Sequence, residues 1–128
     1  MRKQNWEREE QIAVANFLKC MRPPVLFTIN AYAGTNRRTG GKMRASGYER
    51  GCPDIMVFEE GKVEAFKGLF IELKRSVVYG PSKVSDEQRR WIEELNKRGY
   101  KAVVAVGAQQ AYAEIEKYFG LNRGEVKK

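Results

Sequence analysis

FKGLFIELK, residues 66–74, is the stretch on which the fold turns. Its interior is apolar, short and partly aromatic, which favours an extended strand. Alternate residues of a strand share a face, so Glu72 and Lys74 project together while Ile71 and Leu73 turn into a core. Just upstream, DIMVF at 54–58 reads as another strand, and the turn EEGK around Gly61 joins the two as an antiparallel hairpin. Downstream, VYGPSK has turn chemistry, and Ser85-Asp86-Glu87-Gln88 has the form of a capping box. It opens a helix with Trp91, Ile92 and Leu95 at helical spacing, closed by Gly99. KAVVAVG at 101–107 is a buried type of strand, and AQQAYAEIEKYFG at 108–120 is an amphipathic helix. A strand–helix–strand crossover makes 66–74 and 101–107 parallel, so the sheet is expected to be mixed.

Towards the N-terminus, VLFTIN at 25–30 is a short β-rich run. NWEREEQIAVANFLKCM at 5–21 is a helix with Val14, Phe17, Leu18 and Met21 on one face, stopped by Pro23-Pro24. The expected order is αβββαβα, an α/β domain over residues 1–120 with a central mixed sheet flanked by helices. LNRGEVKK at 121–128 is too polar to pack and is expected to be a disordered tail.

The chain has 128 residues, enough to bury a core as one domain. Its 24 Lys and Arg outnumber 16 Asp and Glu, leaving a net charge of +8 and a surface suited to polyanions, nucleic acid first among them. There is no histidine, which excludes serine–histidine triads, zinc hydrolases and histidine–metal nucleases. Cys20 and Cys52 have neither disulfide-framework nor zinc spacing, so a reducing, cytoplasmic setting is expected. The start MRKQNWEREEQ lacks an apolar signal region, and no apolar run approaches the roughly 20 residues that span a bilayer. Neither secretion nor a membrane partner is expected. Chemistry must then run on carboxylates, lysine, tyrosine or a hard cation held by oxygen.

Gly51-Cys52-Pro53-Asp54 places a carboxylate at the start of the strand paired with 66–74. Asp54 and Glu72 brought side by side repel unless a proton or cation lies between them. Oxygen ligands select Mg²⁺ or Mn²⁺, ions that polarise a phosphoryl oxygen and lower the pKa of bound water. Lys74 would hold that water or neutralise charge on the phosphate. Glu-x-Lys alone fits ordinary exposed residues on a half-buried strand, but it leaves the upstream Gly-x-Pro-Asp turn unexplained.

These residues resemble the virus-type replication-repair nuclease (VRR-NUC) domains of the PD-(D/E)XK nuclease superfamily. The resemblance runs from Glu7 to Gly120. It rests on Glu7, Glu10 and Gln11 in the first helix, Asn30 closing the first strand, Gly51-Cys52-Pro53-Asp54, and Gly68-Leu69-Phe70-Ile71-Glu72-Leu73-Lys74, then Ser85, Gln88 and Gly99-Tyr100. It implies a restriction-endonuclease-like core and metal-dependent hydrolysis of DNA phosphodiesters. Asp54, Glu72 and the Leu73 backbone carbonyl are implied as metal ligands, Lys74 as the catalytic lysine and Gln88 as an accessory catalytic residue. Stand-alone members are similar to dimeric resolvases, which implies a homodimer acting on structured or branched DNA.

Other candidates keep two explanations. Glu10 lies on the apolar face of its helix, which favours a metal-binding and catalytic role with Glu7 as its substitute; the helix dipole accounts equally for acids at Glu7, Glu9 and Glu10. Gln88 faces the sheet with Trp91, Ile92 and Leu95, yet the last residue of a capping box commonly bonds the cap backbone. Trp91 is expected in the core, and Tyr32 and Tyr48 on their own scaffold. The glycine-rich segment 31–50 carries Arg37, Arg38, Lys42, Arg44 and Arg50, either following a DNA backbone or standing solvated. It lacks the residues of a phosphate-binding ATPase loop, because Met43 follows Lys42. The expected function is a Mg²⁺- or Mn²⁺-dependent DNA endonuclease. Its rivals are a non-catalytic nucleic-acid-binding module on the same scaffold and a restriction-type nuclease.

Overall fold

The computed structural model describes residues 6–30, 47, 49–76 and 83–121. Among the described residues seven elements follow in order: α1 (Trp6–Lys19), β1 (Phe27–Ile29), β2 (Ile55–Val57), β3 (Leu69–Lys74), α2 (Asp86–Lys97), β4 (Lys101–Val106) and α3 (Ala108–Phe119). The αβββαβα order is the expected one. The strands form one sheet in the order β1-β2-β3-β4. β1 and β2 pair antiparallel, as do β2 and β3 with Ile55 opposite Ile71, and β4 lies parallel to β3 with Glu72 opposite Val104. The mixed sheet is the one that the hairpin and the crossover require.

Leu69, Ile71 and Leu73 of β3 pack on one face with Ile55 and Val57 of β2, against Val14 and Leu18 of α1 and Ala111, Ile115 and Tyr118 of α3. Phe17 of α1 stacks on Tyr112 of α3 with ring centroids 4.5 Å apart. α2 covers the other face. Its Asn96 brackets Ala102 of β4, accepting that residue's N–H at 2.9 Å and donating to its carbonyl at 3.1 Å. Glu72 and Lys74 therefore stand under a helix, although strand alternation alone makes them solvent-facing. β3 starts at Leu69, three residues later than expected, because Phe66 closes a turn onto the Gly61 N–H and Lys67 bonds to Gly99. β1 is likewise only three residues long, since Leu26 gives its N–H to the Glu59 carboxylate at 2.8 Å. The tail 122–128 and most of the 31–50 segment lie outside the described residues.

Candidate active site

The loop before β2 is fixed from β1. Asn30 donates its backbone N–H to the Asp54 carbonyl at 2.7 Å and its side-chain amide to the Cys52 carbonyl at 3.3 Å. Asp54 then projects across to β3, where one carboxylate oxygen accepts the Leu73 N–H at 2.8 Å. The hairpin thus presents Asp54 beside Glu72, as its register requires. Asp54 is 9% exposed, Glu72 2% and Lys74 8%.

α2 completes the cluster through one amide. Gln88 donates from Nε2 to Glu72 Oε2 at 2.9 Å and accepts the Lys74 ammonium on Oε1 at 2.8 Å. The same Oε1 accepts the Ser85 N–H at 2.9 Å, while the Gln88 N–H donates to Ser85 Oγ at 3.1 Å. Both explanations of Gln88 therefore hold at once, since it is a capping-box residue and a member of the cluster. Lys74 Nζ lies 3.6 Å from Glu72 Oε2. Gly51 makes this approach possible. It sits at φ +92°, and a Cβ there would fall 2.6 Å from the Glu87 carbonyl carbon and 2.8 Å from the Gln88 nitrogen.

The electrostatics follow from burial. Removal from water, then the neighbouring Asp54 charge, pushes the Glu72 carboxyl up to about 8, partly offset by Lys74. Burial also raises Asp54 above its ordinary value, against the pull of the Leu73 N–H and Lys74. Asp54 and Glu72 sit beside the paired Ile55 and Ile71, close enough for each to perturb the other's carboxyl. Such a pair holds a proton or a cation between its members, and the all-oxygen donor set suits a hard divalent ion. Burial, then Glu72 and Asp54, pushes the Cys52 thiol up, which disfavours its thiolate form.

Glu10 is placed differently from the expectation that put it beside these carboxylates. Its Oε1 accepts the Ser76 N–H at 2.9 Å, and its Oε2 accepts the Ser76 hydroxyl at 2.8 Å and the Ala108 N–H at 2.9 Å. Both oxygens are engaged at the start of α3 and beyond the end of β3. Among the described residues no group of three Asp, Glu or Cys side chains is arranged to hold a metal. Glu10 instead braces the backbone around Lys74, whose carbonyl accepts the Gly107 N–H at 2.8 Å. Arg50 is exposed at the edge of the Gly51 loop, whereas Arg37, Arg38, Lys42 and Arg44 lie outside the described residues. Trp91 is not a core residue; it is half-buried and lines a cleft. Asn30 had no role assigned by sequence reasoning, although a polar residue closing an apolar strand beside a Pro-Asp turn is the available signal. Ser76 gave none.

Residues 2–109 match the VRR-NUC domain family. The chain belongs to that family. The match includes Asn30, Asp54, Glu72, Lys74 and Gln88, so the VRR-NUC region contains the whole cluster. A solved structure described as a VRR_NUC domain protein is similar over 94% of this chain and 93% of its own, with 28% sequence identity and a TM-score of 0.75. No curated protein matches the chain significantly. This VRR-NUC domain has a nuclease-type fold, and no described helix is long and apolar enough to cross a membrane.

Proposed function

We propose that this VRR-NUC domain is a metal-dependent endonuclease that hydrolyses DNA phosphodiesters, with structured or branched DNA as its preferred substrate. The observation that carries the proposal is the burial of Asp54 and Glu72 side by side, next to the paired Ile55 and Ile71, with Lys74 and Gln88 held against Glu72. Structure alone gives no reason to bury two carboxylates so close together.

Asp54, Glu72 and the Leu73 carbonyl would hold Mg²⁺ or Mn²⁺. Such an ion supplies Lewis-acid polarisation of a phosphoryl oxygen and a more acidic water. Lys74 presents a fixed ammonium to charge developing on the phosphate, and Gln88 keeps that ammonium from collapsing onto Glu72. Asn30 and the Leu73 N–H hold Asp54 in register from either side. Glu10 steadies the strand end that carries Lys74 without sharing the site. Arg50, together with Arg37, Arg38, Lys42 and Arg44, supplies charge for the DNA backbone.

Cleavage of four-way, flap and linear DNA with Mg²⁺ or Mn²⁺ tests the proposal. Lys74→Ala is expected to lower the rate about 100-fold, the scale of losing one transition-state charge contact. Metal-independent cutting, no cutting of any substrate, or full activity in Lys74→Ala would overturn it. The family resemblance supports a homodimer, and sedimentation of the free protein measures that directly.

A further inference from the structure

The loop and helix that build the site also form a cleft beyond it. One wall is Glu49, two residues before Gly51. The other is the flank of α2 that carries Arg90, Trp91, Glu94, Leu95 and Arg98, and the enclosed volume is about 300 Å³. Gly51 packs directly on the backbone of Glu87 and Gln88, so cluster and cleft share one loop–helix junction. Trp91 follows Gln88 by three residues, an axial rise of about 4.5 Å. That is less than the reach of one extended nucleotide.

The lining combines three kinds of group. Trp91 and Leu95 give an aromatic and aliphatic surface. Glu49 is an acceptor for ring and amino N–H groups, while Glu94 is engaged by Arg98 and Lys97. Arg90 is exposed and has no partner among the described residues, whereas Arg98 is held by Glu94 in an ion pair. A flat ring with N–H edges attached to a phosphate meets all three, while a purely apolar ligand leaves Glu49 unmatched and a bare anion is repelled by it. Volume also favours a nucleobase, since ligand pockets begin at roughly this size. Fully paired duplex DNA has no base free to enter.

We infer that the cleft between Glu49 and the Arg90–Arg98 flank of α2 takes an unpaired nucleotide adjoining the scissile phosphate, with its base on Trp91 and its phosphate on Arg90. This rests on the nuclease assignment and narrows the substrate to DNA with an unpaired base next to the cut.

The chain has two tryptophans, so a Trp6→Phe background leaves Trp91 as the only indole reporter. Titration in EDTA uses a blunt duplex and the same duplex with a short unpaired tail. The tailed DNA is expected to quench Trp91 and the blunt DNA to leave it unchanged. Losing one stacked base lowers affinity roughly tenfold, and this loss, read by the anisotropy of labelled DNA, is expected for Trp91→Ala on tailed DNA only. In the same background, Trp91→Phe retains the affinity, and Arg90→Ala at an exposed position weakens it several-fold without a folding cost. Equal binding of both DNAs without quenching, or unchanged affinity in Arg90→Ala and Trp91→Ala, overturns the inference. Cleavage assays with Mn²⁺ separate this failure from the other. Lys74-dependent cutting with a silent Trp91 removes the cleft and keeps the nuclease. Quenching by tailed DNA without any cutting keeps the cleft and removes the nuclease.

Discussion

Folding pushes the Glu72 carboxyl from its ordinary 4.5 up to about 8, because burial strips it of water and Asp54 lies beside it. Since its folded value is the higher one, the folded state binds the proton more tightly. The resulting stability is complete below pH 4.5 and is lost as pH rises towards 8. Asp54 is raised as well, so it contributes with the same sign. In chelator at pH 8, Glu72→Gln is therefore expected to melt several degrees above the wild type, with the gap closing near pH 4.5 by calorimetry. Adding Mn²⁺ should raise the wild-type melting point and leave Glu72→Gln nearly unmoved. A mutant that melts lower than the wild type at pH 8 would contradict a strained acidic pair. Glu10 behaves oppositely, because its removal orphans the Ser76 N–H, the Ser76 hydroxyl and the Ala108 N–H. Glu10→Ala is expected to cost about 2 kcal/mol in urea unfolding while the Mn²⁺ stoichiometry by titration calorimetry stays the same. A lost metal site with stability intact would return Glu10 to the ligand set.

At the scale of elements, α2 carries two functions in one turn, and paired substitutions separate them. Ser85→Ala removes a cap worth about 1 kcal/mol but leaves the Gln88 amide in place, so stability falls and cleavage changes little. Gln88→Ala releases both Glu72 and Lys74, and its rate is expected to drop at least tenfold beyond any loss of stability. Equal cleavage by the two variants would reduce Gln88 to a cap. Gly51→Ala pushes on the Glu87 and Gln88 backbone, so it should resemble Gln88→Ala in activity with the far-ultraviolet spectrum of the fold retained. The helices and the hairpin were legible because their signals are local: a capping box, a spacing of three and four, and a turn between two apolar runs. The limits of β1 and β3 were less so. They depend on which distant groups take a backbone N–H, such as Glu59 for Leu26 and Gly99 for Lys67.

Across the whole molecule, Asp54, Glu72 and Lys74 were readable because strand alternation and hairpin pairing convert sequence into proximity. Gln88 was readable only as a choice between two roles, since a capping pattern gives no hint that the amide has a second side. The destination of Glu10 was hidden because its partners lie 66 and 98 residues away. The net charge of +8 makes one prediction at this scale. DNA affinity measured by fluorescence anisotropy should fall steeply and linearly with log salt, and Arg50→Ala should make that slope shallower by about one unit. An unchanged slope would remove Arg50 from the phosphate contacts.

The Glu10 brace also sets a schedule for synthesis on the ribosome. Residue 10 emerges first, but its carboxylate finds its full set of donors only when Ser76 and then Ala108 have left the exit tunnel. A nascent chain stopped before α3 would carry Asp54, Glu72 and Lys74 without the knot that steadies Lys74. The proposed catalytic centre thus stays unfinished until Ala108 has been made.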